Sequence, residues 1–166
     1  MKHHLIERIE IFRAYSHAVV FQNRDLAKFL RNQLSKEEFS QQYYHAKYLF
    51  NAVVYYRFVL TGEHDEIRDF LVRMLAKHQA SKARLKGSIL EGCIDGALFA
   101  EKPELLKGVG GRDRYINQYL IIRLIMEECE DMSENFDHFL DFADNHFADW
   151  EAHDTAMNGG NRESLD

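Results

Sequence analysis

Apolar residues recur along this chain with the spacing of helices. They fall every three or four positions through most of the sequence, and no stretch shows the two-residue alternation of a half-buried strand. A single proline, Pro103, leaves long segments free of the residue that most often interrupts a helix. The pattern therefore predicts an all-α protein.

Capping residues mark several of the expected helix ends. Ser35 and Glu38 form a capping box, in which Ser35 caps the helix and Glu38 reaches back to the Ser35 amide. We expect the long helix that they open to end at Thr61-Gly62. The other elements are predicted as follows: Leu5–Phe21, Arg24–Asn32, Asp65–Lys86 ended by Gly87, a glycine-marked segment Ser88–Ala100, a short helix opened by Pro103, a loop at Gly108–Gly111, Arg112–Cys129, and a last helix capped by Ser133 that reaches about His153.

One domain accounts for the whole pattern. The chain has 166 residues, and a chain of this length buries roughly 70% of the surface that its unfolded form exposes. Residues 1–157 are therefore predicted to form a single bundle of about six to seven helices, and residues 158–166 a disordered tail.

Cysteine content and apolar runs bear on where the protein is found. Cys93 and Cys129 are the two cysteines, and neither belongs to a metal-binding pair. The N-terminus lacks the apolar core of a signal peptide, and no apolar run approaches the ~18 residues of a membrane span. We expect a soluble, cytoplasmic protein without a membrane partner.

The formal net charge of −6 is unevenly distributed. No Lys or Arg occurs between Leu124 and Asn161, and this stretch contains Glu127, Glu128, Glu130, Asp131, Glu134, Asp137, Asp141, Asp144, Asp149, Glu151 and Asp154. Nucleic acids bind to clustered basic residues, so a nucleic-acid partner is not expected. A solvated acidic face is the simpler interpretation, and a basic protein partner is the alternative.

Aromatic residues are concentrated in the predicted third helix, at Tyr43, Tyr44, Tyr48, Phe50, Tyr55, Tyr56 and Phe58. Aromatic residues at helical spacing usually belong to a core. His17 in the first helix is followed by a short helix and the turn Gln33-Leu34-Ser35, and this order resembles the opening of the heme oxygenase family. Ile89–Gly96 resembles that family's glycine-containing distal helix. Together these motifs cover roughly the first hundred residues, and they imply a heme oxygenase-like fold.

The resemblance implies a site for heme or a similar flat ligand. His17 would be the axial ligand of the iron. Gly92 and Gly96 would bracket the distal face, where a missing Cβ lets a flat ligand approach the backbone. Asp95 would be the catalytic residue that organises distal water.

Two further residues would complete such a site. Arg13, one turn before His17, would pair with the propionates, and Tyr48 would line the pocket wall. In the family a late helix supplies some of the basic residues, but here that helix is acidic, so Arg112, Arg114 or Arg123 would have to substitute. If the protein is an enzyme, it would be an oxidoreductase that cleaves heme with electrons from an external donor protein.

A non-heme iron oxidase is the first alternative, since TenA-like enzymes, PQQ-synthesis proteins and diiron oxidases resemble the same opening. His146, Asp149 and His153 share one helix face and suit iron. In an antiparallel hairpin of the last two long helices, Gln118–Ile122 would lie level with His146 and would offer no carboxylate. This alternative therefore ranks behind heme.

A non-enzymatic regulator or adaptor that acts through the acidic C-terminal helix is the second alternative. Such a protein would have a solid core under the aromatic helix. An enzyme of this fold would instead have a pocket with walls from the His17 helix, from Tyr43–Tyr56 and from the Gly92 segment.

Overall fold

The computed structural model of the protein describes residues 2–61, 66–78 and 86–159. These residues form helices and loops and contain no strand, so the prediction of an all-α protein is confirmed. The helices are α1 (Lys2–Val20), α2 (Arg24–Gln33), α3 (Lys36–Tyr55), α4 (Glu66–Lys77), α5 (Gly87–Leu98), α6 (Gly111–Glu128), α7 (Glu130–Glu134) and α8 (Phe136–Gly159). A π-helical turn, Tyr56–Leu60, extends α3, and a 3-10 turn, Pro103–Leu106, follows α5.

Two elements, α3 and the 3-10 turn, start where the sequence predicts them. The Glu38 amide donates to Ser35 Oγ over 3.1 Å, and the Ser35 amide donates to Glu38 Oε2 over 2.8 Å. The hydrogen bond from the Ser35 amide lowers the pKa of Glu38, because it stabilises the carboxylate. Pro103 opens the 3-10 turn as predicted.

Several predicted boundaries are wrong. Gly87 begins α5 instead of ending the preceding helix, and a Cβ at this position would lie 3.3 Å from Leu75 of α4. Ser133 lies inside the short helix α7, and α8 begins only at Phe136. α4 ends at Lys77 and Lys86 is extended, so the predicted continuation of this helix to Lys86 is wrong as well. α8 continues to Gly159, past the predicted end near His153. The predicted end at Gly62, residues 79–85 of the predicted helix and residues 160–166 of the predicted tail lie outside the described residues.

α3 is the central helix and packs against α8, α6, α5 and α1. Leu49, Phe50 and Val53 on α3 are buried in the main core. The expected hairpin of the last two long helices is wrong, because α7 turns the chain and α8 packs mainly along α3. α3 and α8 run antiparallel, since Tyr44 contacts Trp150 and Tyr56 contacts Phe139.

A buried hydrogen-bond network joins α1, α3 and α6. The fully buried Gln42 donates to the Tyr119 hydroxyl over 2.7 Å and accepts from the Tyr115 hydroxyl over 2.6 Å. Ser16 Oγ lies 2.6 Å from the Tyr119 hydroxyl. Buried polar groups with partners fix the relative position of the elements that carry them, so this network holds the three helices in register.

None of the helices in the described residues combines the length and apolar character that crossing a bilayer requires.

Candidate functional site

An open cleft of about 800 Å³ lies between the C-terminal end of α3 and the start of α8. Its size falls within the range of pockets that hold small molecules. Apolar and aromatic side chains make most of its surface, and its lining consists of Asn51, Ala52, Tyr55, Tyr56, Leu60, Ala97, Asp131, Met132, Asn135, His138, Phe139 and Phe142.

The π-helical turn forms one rim of the cleft. The Thr61 amide donates to the Tyr56 carbonyl over 3.1 Å, five residues back, which is the hydrogen bond of a π-helix. Within this turn Phe58 is fully buried, whereas Tyr56 and Leu60 line the cleft. Single π turns inside helices often occur at functional sites, so the cleft lies where the backbone departs from regular geometry.

Small residues make room in the cleft and aromatic rings make its walls. Ala52 of α3 and Ala97 of α5 line it without filling it. The rings of Tyr56 and Phe139 are 5.5 Å apart at 76°, so they present two nearly perpendicular surfaces. Tyr55 and Phe142 remain 50% and 43% exposed. A planar molecule can therefore contact several rings at once.

The predicted heme ligand His17 lies away from this cleft. Its side chain is exposed, and its ring contacts the rings of Phe21 at 4.6 Å and Phe136 at 5.9 Å. Both partners are aromatic side chains of the chain itself. The structure therefore assigns to His17 an aromatic contact at the junction of α1 and α8.

Arg13 is occupied by carboxylates of α8. Its guanidinium lies 2.6 Å from Asp141 Oδ1, 2.8 Å from Asp144 Oδ2 and 3.3 Å from Asp137 Oδ1. Three acidic partners satisfy this cation, so pairing with a ligand's propionate would require breaking these contacts. Arg13 thus serves to hold α1 against the acidic face of α8.

The distal-helix residues hold the loop after α5. A Cβ at Gly92 would lie 2.9 Å from Leu106 and 3.0 Å from Leu105, so this glycine lets the 3-10 turn approach α5. A Cβ at Gly96 would lie 3.8 Å from Leu106, an ordinary contact distance. Asp95 is buried and accepts from the Lys102 amide over 2.8 Å.

Heme does not fit the arrangement that the resemblance implies. Phe21 and Phe136 contact His17, and Leu105 and Leu106 cover Gly92. His17 and the Gly92–Gly96 segment moreover line two separate depressions, so they do not face each other across one site as the prediction requires.

Tyr48 and the alternative metal ligands meet on the α3–α8 surface. Tyr48 stacks on His146 with ring centroids 5.6 Å apart, and both line a second depression with Asp149 and His153. The neighbour opposite His146 is therefore aromatic, where a diiron site needs a carboxylate. In the described part of the chain, no three His, Cys, Asp or Glu side chains are grouped closely enough to hold a metal ion.

One buried pair was missed by the sequence analysis. His45 Nε2 lies 2.7 Å from Asp144 Oδ1, and His45 is fully buried. Its Nδ1 has no hydrogen-bond partner among the described residues. The two residues are far apart in the chain, and no local pattern connects them. Their position between α3 and α8 could only be found from the packing of these helices.

Comparison with known proteins finds no match to this chain among protein-family models, curated proteins or solved structures. The heme oxygenase-like resemblance therefore stays a prediction. The cleft and its lining residues carry the functional argument.

Proposed function

We propose that the protein binds a flat, largely apolar small molecule in the cleft between α3 and α8. The observation that carries this proposal is an open cleft with aromatic walls at a π-helical turn. The proposal keeps the predicted flat ligand and the prediction that the helix with Tyr43–Tyr56 forms a wall of the pocket. It moves the site to the C-terminal end of that helix.

Exposed apolar side chains around the cleft support binding. Tyr55, Tyr56, Leu60 and Phe142 line it and are 50%, 41%, 61% and 43% exposed. Clustered apolar residues at a concave surface mark binding sites more often than single exposed ones do. A ligand that covered them would remove apolar area from water, which contributes about 25 cal/mol per Å².

A flat ligand without acidic groups fits this cleft better than heme. The propionates of heme require basic partners, and the described lining contains neither Lys nor Arg. His138 is the lining residue that could approach an iron, but Asp131 at the same cleft would repel carboxylates. We therefore do not extend the proposal to oxidative heme cleavage.

Filling the cleft tests the proposal. Nile red, a neutral planar dye that fluoresces in apolar surroundings, should bind to the wild-type protein, and hemin should be titrated in parallel. Ala97→Phe places a ring in the space beside the α5 wall and should weaken Nile red binding about tenfold, because it removes volume that the ligand needs.

Val72→Phe is the matched control, since Val72 lies on α4, is 61% exposed and is not part of the lining. It should leave the affinity unchanged. Circular dichroism should show that both variants fold. Nile red binding that is absent from the wild type, or that is equal in all three proteins, would contradict the proposal.

A further inference from the structure

Asp131 brings an unpaired negative charge to the cleft. It is the one Asp, Glu, Lys or Arg among the described lining residues, and its carboxylate makes no ion pair within the described part of the chain. Its neighbours differ, since Glu127 pairs with Lys77 and Glu128 lies 3.0 Å from Arg73. The last two acids of α6 are thus compensated, whereas Asp131 on α7, the acid that lines the cleft, is not.

The surrounding sequence offers Asp131 no nearby cation. No Lys or Arg occurs between Leu124 and Asn161, the stretch that contains α7 and α8. The opposite wall, from α3 and the π-helical turn, contributes Asn51, Ala52, Tyr55, Tyr56 and Leu60 to the lining. Apart from His138, no side chain of the described lining can carry a positive charge, so a permanent positive charge beside Asp131 would have to come with the ligand.

The aromatic walls favour the same sign of charge. An aromatic ring carries negative charge density on its face and attracts cations there. Tyr56 and Phe139 stand at 76° to one another, and Tyr55 and Phe142 leave part of their rings exposed at the same cleft. Rings around one carboxylate are a recurring way to recognise organic cations.

We infer that the cleft selects an organic cation, with a flat or alkyl-substituted apolar body that carries an ammonium or related positive centre. Asp131 pairs with the charge, and Tyr56 and Phe139 attract it through their ring faces. Asn51 and Asn135 can accept hydrogen bonds from N–H groups of the ligand. The inference rests on the proposed function, because it names the class of ligand for the same cleft.

Three planar fluorescent probes of different charge test the inference on the full chain. They are acridine orange, a cation at pH 7, Nile red, which is neutral, and 8-anilinonaphthalene-1-sulfonate, an anion. Acridine orange should bind about tenfold more tightly than the anionic probe, because Asp131 attracts one and repels the other. Raising the NaCl concentration to 0.5 M should reduce this preference, because salt screens exposed charges.

Asp131→Asn removes the charge and keeps the shape of the side chain. It should weaken acridine orange binding about fivefold and leave Nile red binding unchanged. Glu134→Gln is the matched control: it removes one negative charge from the same helix, α7, and lies outside the lining. This control should leave both probes unchanged. Asp131 is exposed, so the variant should fold, and circular dichroism checks this.

Each outcome decides a different point. Equal affinity for all three probes, or an Asp131→Asn variant with unchanged acridine orange binding, would overturn the selection of cations and leave the apolar cleft in place. If Glu134→Gln weakened acridine orange as much as Asp131→Asn does, general surface charge would explain the preference, and the role of Asp131 would be overturned. If neither Nile red nor acridine orange bound, the proposed function itself would fail.

Discussion

The two ends of α3 lie in opposite surroundings. Near its N-terminal end, Gln42 and His45 are fully buried and hydrogen-bonded to α6 and α8. At its C-terminal end, Tyr55 and Tyr56 are about half exposed and border an open cleft. We refer to these as the closed end, Gln42–His45, and the open end, Asn51–Leu60.

The difference comes from what the neighbouring helices offer. At the closed end, Ser16, Tyr115 and Tyr119 provide hydroxyl groups that meet the Gln42 side chain. At the open end, the neighbouring helix α5 offers only the small side chain of Ala97, which leaves space beside Ala52 of α3. One helix can thus hold the fold together at one end and offer a binding surface at the other.

Replacing Gln42 should give the largest effect on stability at the closed end. Gln42→Leu removes the amide that lies between the hydroxyls of Tyr115 and Tyr119. We expect the free energy of unfolding to fall by about 2 kcal/mol, because buried polar groups lose their partner. Urea unfolding at pH 7 measures this change.

The exposed Gln33 provides the control, and Gln33→Leu should change the free energy of unfolding by less than about 0.5 kcal/mol. Equal stability of Gln42→Leu and the wild type would show that the closed end is not held by this network. Nile red binding at the open end should persist in the folded Gln42→Leu protein.

Alkaline pH should weaken the closed end through its tyrosines. Burial raises the pKa of Tyr115 and Tyr119, because the phenolate would lose its hydration. In the unfolded chain Tyr115 ionises near its ordinary pKa of 10.0. Its contribution to stability is therefore complete below pH 10 and is lost as the pH rises further, because the unfolded state then releases a proton that the folded state keeps.

Tyr115→Phe should make this loss smaller. Between pH 10 and pH 11, its free energy of unfolding should fall by about 1 kcal/mol less than that of the wild type, since one buried phenol no longer titrates. Urea unfolding at pH 7, 10 and 11 compares the two proteins. Parallel curves for both would contradict a role of Tyr115 burial in the alkaline loss.

The smallest effect on stability is expected at the open end. Leu60 is 61% exposed, so Leu60→Ser should change the free energy of unfolding by less than about 0.5 kcal/mol. Its affinity for Nile red should nevertheless fall about threefold, because an apolar rim contact is lost. Val72→Ser, at an equally exposed position on α4, should change neither quantity. Unchanged dye binding by Leu60→Ser would exclude the π-helical rim from the site.

Local signals in the sequence predicted much of the fold. The capping box of Ser35 and Glu38 and the turn at Pro103 appear where expected, because the atoms that form them are near one another in the chain. Gly87 and Ser133 were misplaced, because either residue suits more than one position at a helix end. Packing between helices determines which of these positions the residue takes, as the close approach of Gly87 to Leu75 shows.

The site was less accessible to sequence reasoning. The aromatic helix was expected to form a pocket wall, but only its C-terminal part lines the cleft. The stacking of Tyr43 on Tyr115 and the pairing of His45 with Asp144 depend on contacts between distant segments. The π-helical turn was not predicted either, since the spacing of apolar residues in Tyr56–Leu60 is compatible with an ordinary α-helix.

Because of the π-helical turn, the shape of the cleft depends on the number of residues in Tyr56–Leu60. A π turn contains one more residue than the α turn that would span the same carbonyl and amide levels. Deleting one residue from Tyr56–Leu60 would restore α geometry and rotate the last positions by about 100° around the helix axis. Leu60 would then leave the rim. A change of a single codon in length, without any change in the composition of the walls, would be enough to give this fold a different opening.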